Sequence, residues 1–433
     1  MSGGQGGSRI GPVAWFALTV ASAAFFLLFA FTYGPMLTAD GARDAAYARY
    51  MSAVGYDPFA YLAGAEEATG HNHPISLAGY LIFIALLAFL QQALGSLWLS
   101  ALVVLNAFAQ TVAVVLTAWL LRLAGVGGIG IAVAVALSFA CFEGYQWVAM
   151  SQSDALFVPI VAGTWALSWI ATSGDSPRWR FALLMGCCAL IAVGAFVRPT
   201  WPPLAAAAAA TAWLSLRAQA SPGRIVGDWT RLMALAAVLA FGATLLSAAI
   251  MWNPTLLPGD LLSGAVARWR PFLEQGVVVI SRPETYLQDT DSYWGFVRTC
   301  LVRLPYFFEI RADGFSGSHQ LINWVGHVPL YILALAGLVL ALRLRVELPP
   351  ALRVAALSAA TYVFCVASFH AMTILDFDWR YRAPMYPLLI FLAGLGADQI
   401  LHAARLRLTQ PEGRQEAGTG RPIKRSRSSN EAA

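Results

Sequence analysis

The chain has 433 residues, 58% of them hydrophobic and only 12% charged, with a formal net charge of +5. Charge at half the usual globular share excludes two ordinary soluble domains, although the length would allow them. Long apolar runs recur from Ala14 to Ala403 and predict an all-α, polytopic transmembrane bundle of about 10–11 membrane segments.

Residues 1–11 are rich in Gly and Ser and read as a short disordered lead on the cytoplasmic side. Pro12 to Tyr33 follows Arg9 as a secretory signal would. It is longer than the usual apolar region of a signal and is followed by further spans, so an uncleaved first helix is expected. Leu37 to Val54 reads as a surface-lying helix in an outer loop, 34–74, with Ala46, Tyr47, Tyr50, Met51 and Val54 as its apolar stripe. Beyond it the arginines of Arg178-Trp-Arg180, Arg217 to Arg231, Arg343 to Arg353 and the tail after Arg405 assign those connections to the cytoplasm. Glu143 to Asp154, the Arg198-Pro-Thr turn, Trp252 to Trp324 and His370 to Arg382 then face outward.

Parity constrains this path. Pro74 outside and Arg122 inside allow an odd number of crossings between them, yet Ile75–Gln91 and Leu97–Leu121 are two apolar segments. Ile75–Gln91 carries no cytoplasmic charge at its flanks and is expected to be re-entrant or steeply tilted. About ten full crossings and one partial one remain. The long outer segment 252–324 mixes Trp252, Trp269, Trp294, Tyr286, Tyr293 and Tyr306 with prolines and charges, as short helices at the headgroup level do. Residues 405–433 form a basic tail without hydrophobic periodicity, suited to anionic headgroups; no nucleic acid is expected as a partner. Cys141, Cys187, Cys188, Cys300 and Cys365 have neither the spacing of a disulfide framework nor that of a zinc site.

Polar clusters fall on one side of this scheme. Asp40 and Asp44 flank Arg43 on neighbouring turns of the first-loop helix; Asp40 could simply cap that helix, or serve as a general base or metal ligand at the membrane boundary. Glu143, Gln146, Gln152 and Asp154 make a polar turn between two spans, where acids are costly unless solvated or paired, though Ser153 and Asp154 could also cap a helix. Arg198-Pro199-Thr200 joins two apolar stretches with almost no loop; its guanidinium either snorkels to headgroups or meets a substrate phosphate at that depth. Asp376-Phe-Asp-Trp-Arg-Tyr-Arg382 is the densest cluster, with arginines that run against the orientation rule and so need partners: Asp376 and Asp378, or a substrate. His71 and His73 precede Pro74, by default as solvated loop residues.

These clusters, in this order, resemble the GT-C superfamily of polytopic glycosyltransferases that use polyprenyl-phosphate sugars, especially protein O-mannosyltransferases and aminoarabinose lipid A transferases. The first-loop aspartate resembles Asp40 and the basic-residue-Pro helix start resembles His73-Pro74. The Ser-acid-Ala-Leu span start resembles Ser153-Asp-Ala-Leu156, and the Arg-Pro turn Arg198-Pro199. An Arg-Tyr-x-x-Pro opening of a late span resembles Arg380-Tyr-Arg-Ala-Pro384. The likeness covers about Pro12 to His402. It implies a sugar donor on a polyprenyl phosphate, a lipid, glycan or protein acceptor, and a site on the extracytoplasmic side of a bacterial inner membrane. Asp40 would deprotonate the acceptor, directly or through a divalent cation such as Mg or Mn, with Asp154 in support. Arg198, Arg380 and Arg382 would stabilise the leaving phosphate, and Asp44, His73 and Tyr381 would contact substrate. Asp40 is followed by Gly41, where many family members place a second acid, which leaves the metal open. A transporter or flippase would also collect polar clusters, but charges at span ends on one side favour surface chemistry. A non-catalytic subunit is the remaining alternative.

Overall fold

The computed structural model describes residues 11–71, 77–173, 176–252, 292–310, 316–343, 348–372 and 379–409. Among these there is no β-strand, and a single bridge joins Met36 to Met150. Eight helices among the described residues are long and apolar enough to cross a bilayer, or nine if the bent pair Gly128–Ala140 and Phe142–Ala149 forms one span. The chain is an integral membrane protein with an all-α bundle.

Helix α1 (Pro12–Tyr33) turns only Ser22, Phe26 and Ala30 inward, one residue per turn. Trp15, Leu18, Phe25 and Leu27 pack partly against the bundle, and Val13, Phe16, Val20, Leu28 and Phe31 are exposed. Next, α2 (Ala39–Ala53) and α3 (Pro58–Thr69) form a surface layer. Helix α4 (Leu81–Leu94) follows a short turn, Leu77–Tyr80. Its beginning lies against the Arg198-Pro-Thr turn, where a Cβ on Gly79 would be 3.1 Å from Pro199. Its end returns to the surface layer: Gln91 Nε2 donates to Ala45 O at 3.3 Å and Tyr56 Oη to Gln92 Oε1 at 2.8 Å. Both ends therefore meet the same end of the bundle, in keeping with a segment that enters without crossing. At 14 residues it spans about 21 Å, short of the ~30 Å hydrocarbon thickness. The expected segment's Ile75 lies outside the described residues.

The remaining helices are α5 (Trp98–Leu123), α6 (Gly128–Ala140), α7 (Phe142–Tyr145), α8 (Asp154–Ser173), α9 (Pro177–Val197), α10 (Trp201–Ala220), α11 (Ile225–Trp252), α12 (Tyr293–Tyr306), α13 (Gly317–Leu342), α14 (Pro350–Ala371) and α15 (Tyr386–Thr409). Contacts at their ends fix their sense. Helices α1, α6, α9, α11 and α14 run toward the end that carries Asp40, and α5, α8, α10, α13 and α15 run away from it. At the far end Asp398 of α15 accepts from Gly127 N at 3.1 Å and closes the start of α6. This alternation is the path the arginine distribution predicts. The alanine-rich α10 is not among the helices apolar enough to cross alone, and α6 reaches span length only with its bent continuation.

The outer-loop boundary at Trp324 requires correction. Helix α13 begins at Gly317, so Trp324 belongs to a candidate span and faces outward from it. Cys300 likewise sits buried in α12, and all five cysteines are free thiols. Helices α14, α8 and α15 form the centre, with 83%, 67% and 61% of their most apolar stretches buried, against 6% for peripheral α11. α13 and α15 cross at glycines: a Cβ on Gly337 would collide with Leu392 O, and one on Gly396 with Leu333 O. Small residues allow this backbone approach, which holds helices together where lipid removes the hydrophobic drive.

Candidate functional site

The Asp40 cluster is built by docking α2 onto the loop before α8. Thr38 caps α2, its Oγ1 accepting from Gly41 N at 3.0 Å, while Thr38 N donates to Ser151 Oγ at 3.1 Å. The capping role considered for Asp40 therefore belongs to Thr38. Asp40 stands in the first turn, where the helix dipole favours a carboxylate. Its side chain is 36% exposed and pairs with Arg43 Nη1 at 3.2 Å. Gln152 Nε2 reaches its Oδ2 at 3.4 Å from across the loop. Asp44 is buried and binds Arg43 Nη2 at 3.0 Å, which holds that arginine in place. Burial opposes the Arg43 charge, but the Asp44 and Asp40 carboxylates outweigh it, and the guanidinium pKa lies above its ordinary value. Burial likewise pushes the neighbouring Tyr47 phenol up to about 12; its hydroxyl donates to His71 O at 2.7 Å.

Gly41 makes this docking possible, because a Cβ there would run into Ser151 Oγ. Gly41→Ala is expected to cost about 1–3 kcal/mol, the usual range for overpacking. Thermal unfolding in detergent measures it; an unchanged midpoint would mean that α2 does not need this contact.

The Arg198 turn joins the next group. Helix α9 ends at Val197, Arg198 is extended, and Pro202 and Pro203 begin α10 where missing backbone donors do no harm. Arg198 Nη1 meets Asp154 Oδ1 at 2.5 Å, and both residues are buried. The guanidinium lies over the Tyr381 ring at 4.6 Å, and Tyr381 stacks on His370 with ring centroids 4.3 Å apart. Such stacking is a geometry that arginine supports and lysine does not. Asp154 is engaged with Arg198, so its offered role is to hold that cation and not to transfer a proton.

Arg382 has an acidic partner that the sequence did not point to. It is 1% exposed and is bound by Glu143, with Nη1 also donating to Glu309 O at 2.5 Å and Phe307 O at 3.4 Å. A guanidinium enclosed at this depth needs a carboxylate partner, and Glu143 supplies it. Glu143 Oε1 accepts from Asn323 Nδ2 at 2.5 Å, and Tyr386 Oη donates to its Oε2 at 3.5 Å. His327 closes the set, bonded to Tyr386 Oη and to Asn323 O at 2.9 Å. Asn323, His327 and Tyr386 were missed in sequence. Asn323 and His327 stand four apart inside an apolar helix, the one signal that marked a common face.

His73, Asp376 and Asp378 lie outside the described residues, as does the side chain of Arg380, whose backbone is in the Trp379–Met385 turn. Asp40, Asp44, Asp154, Arg198, Tyr381 and Arg382 all come to one end of the bundle. Among the described residues no group of three or more His, Cys, Asp or Glu could hold a metal ion. Asp40, considered for a metal ion as well as for proton transfer, is paired with Arg43, which also binds Asp44, so a divalent cation at Asp40 would compete with that guanidinium. No family model, no curated protein and no solved structure matches the chain.

Proposed function

We propose that this protein is a membrane glycosyltransferase that moves a sugar from a polyprenyl-phosphate carrier to an acceptor hydroxyl, at the extracytoplasmic face of a bacterial inner membrane. One observation carries the reading: a partly exposed carboxylate, Asp40, shares one end of the bundle with the Arg198–Asp154 pair, joined to it through the 151–154 loop. Base and cation are the groups that splitting a sugar phosphate requires.

In the proposed reaction Asp40 accepts the proton of the acceptor hydroxyl as its oxygen bonds to the anomeric carbon. The bond from that carbon to the carrier phosphate breaks, and the phosphate leaves with the electron pair. Arg198, held by Asp154 with its guanidinium over the Tyr381 ring, offsets the growing charge. Arg380 adjoins Tyr381 in sequence and is assigned the same task. Arg382 and Glu143 hold the turn that carries Tyr381.

The transporter alternative draws on the buried Glu143 network; that its side chains are turned to one another supports a structural role for it instead. Purified protein incubated with a panel of labelled polyprenyl-phosphate sugars and a crude lipid extract as acceptor is expected to release label from one of them. Folded protein that neither cleaves nor retains any carrier would remove the proposal.

A further inference from the structure

Resting on that reading, we infer that Gln152 is a second working residue of the site: it orients Asp40 with one end of its amide and receives a substrate hydroxyl with the other. Gln152 is 7% exposed. It lies between Ser151, which ties the loop to α2, and Asp154, which anchors Arg198. Its Nε2 donates to Asp40 Oδ2 at 3.4 Å. The opposite assignment of the amide would set an oxygen against an ionised carboxylate, so the donor end belongs on Asp40.

The acceptor end is then defined by exclusion. Gln152 Oε1 is buried and has no hydrogen-bond partner among the described residues. An enclosed amide oxygen without a donor is costly, and sites keep such groups where a ligand completes them. The missing partner is an O–H or N–H donor beside the carboxylate that takes the reacting proton, which is where a sugar or acceptor hydroxyl stands. A hydrogen bond made in this enclosed place discriminates strongly, because a ligand lacking the hydroxyl leaves the amide unpaired. Held by Gln152 and Arg43 from two directions, the Asp40 carboxylate would keep its lone pair on the attacking oxygen instead of rotating.

The test compares wild type, Gln152→Met and Gln152→Glu on the labelled polyprenyl-phosphate sugar that wild type cleaves, with crude lipid extract as acceptor. Carrier and extract are varied separately, and the folded fraction is measured by size exclusion. Methionine removes both ends of the amide at nearly constant volume. Its kcat is expected to fall about 10–100-fold, within the range for a misplaced general base. KM should rise for the substrate that supplies the hydroxyl, the carrier if it is on the donor sugar and the extract if it is on the acceptor. Glutamate keeps an accepting oxygen but loses the donor to Asp40, so kcat should fall while KM stays near wild type. A purely structural Gln152 would lower the folded fraction in both variants without this split. Folded Gln152→Met with kcat and both KM values within twofold of wild type would overturn the inference alone, whereas a wild type that cleaves no carrier would take the glycosyltransferase reading with it.

Discussion

Asp40→Asn lowers sugar release from the lipid carrier by about 10²–10⁴-fold, the range in which a positioned general base contributes. Membrane insertion, expression and folding should stay near wild type, because Thr38 and not Asp40 caps α2 and because Asp40 is the partly exposed member of its group. Asparagine keeps the size of the side chain and can still meet Gln152, but it cannot take a proton. Arg43 retains its buried partner Asp44, so the local charge is not orphaned. Initial rates of label release, normalised to monodisperse protein, measure the effect. Full activity in the asparagine variant would make Asp40 a mere first-turn acid of its helix and remove the base from the mechanism.

The second large effect concerns stability. Glu143→Leu strands the Arg382 guanidinium among apolar groups, and Arg382→Met strands the Glu143 carboxylate. Each single change is expected to cost about 3–5 kcal/mol, as does loss of one partner from other buried ion pairs. The double variant should recover most of that loss, because neither charge is then left alone. The pair sits where α6 breaks into α7 at a 73° bend and ties this break to α13, to the first turn of α15 and to the carbonyls after α12. Unfolding in detergent micelles, followed by tryptophan fluorescence across the mutant cycle, separates the outcomes. Additive losses, or singles as stable as wild type, would mean that the two side chains do not depend on each other.

These results bear differently on what was readable in the chain. Hydrophobic runs and clustered arginines predicted the helices and their alternating sense, because lipid imposes backbone-satisfied helices of fixed length and loop charge sets direction. The α4 segment could be singled out by parity; in the structure Gln91 meets α2 at Ala45, and Gln92 meets Tyr56 in the turn after α2. The gathering of Asp40, Asp154, Arg198 and Tyr381 at one end follows from the same bookkeeping of span ends.

Partnership was not readable. Glu143 and Arg382 stand 239 residues apart, and Arg382 had acids at Asp376 and Asp378 far closer in sequence. Only the packing of α13 and α15 through Gly337 and Gly396, which brings Asn323, His327 and Tyr386 to the broken end of α6, decides that Glu143 is the carboxylate it meets. Thr38, Asp40 and Ser153 all carry side chains of the kind that cap helices, and backbone geometry selects Thr38 for α2. Local composition fixes what a segment must do in a bilayer, since that cost is paid residue by residue. Which charge faces which depends on side-chain distances of a few ångströms between distant segments, and those exist only once the helices are packed.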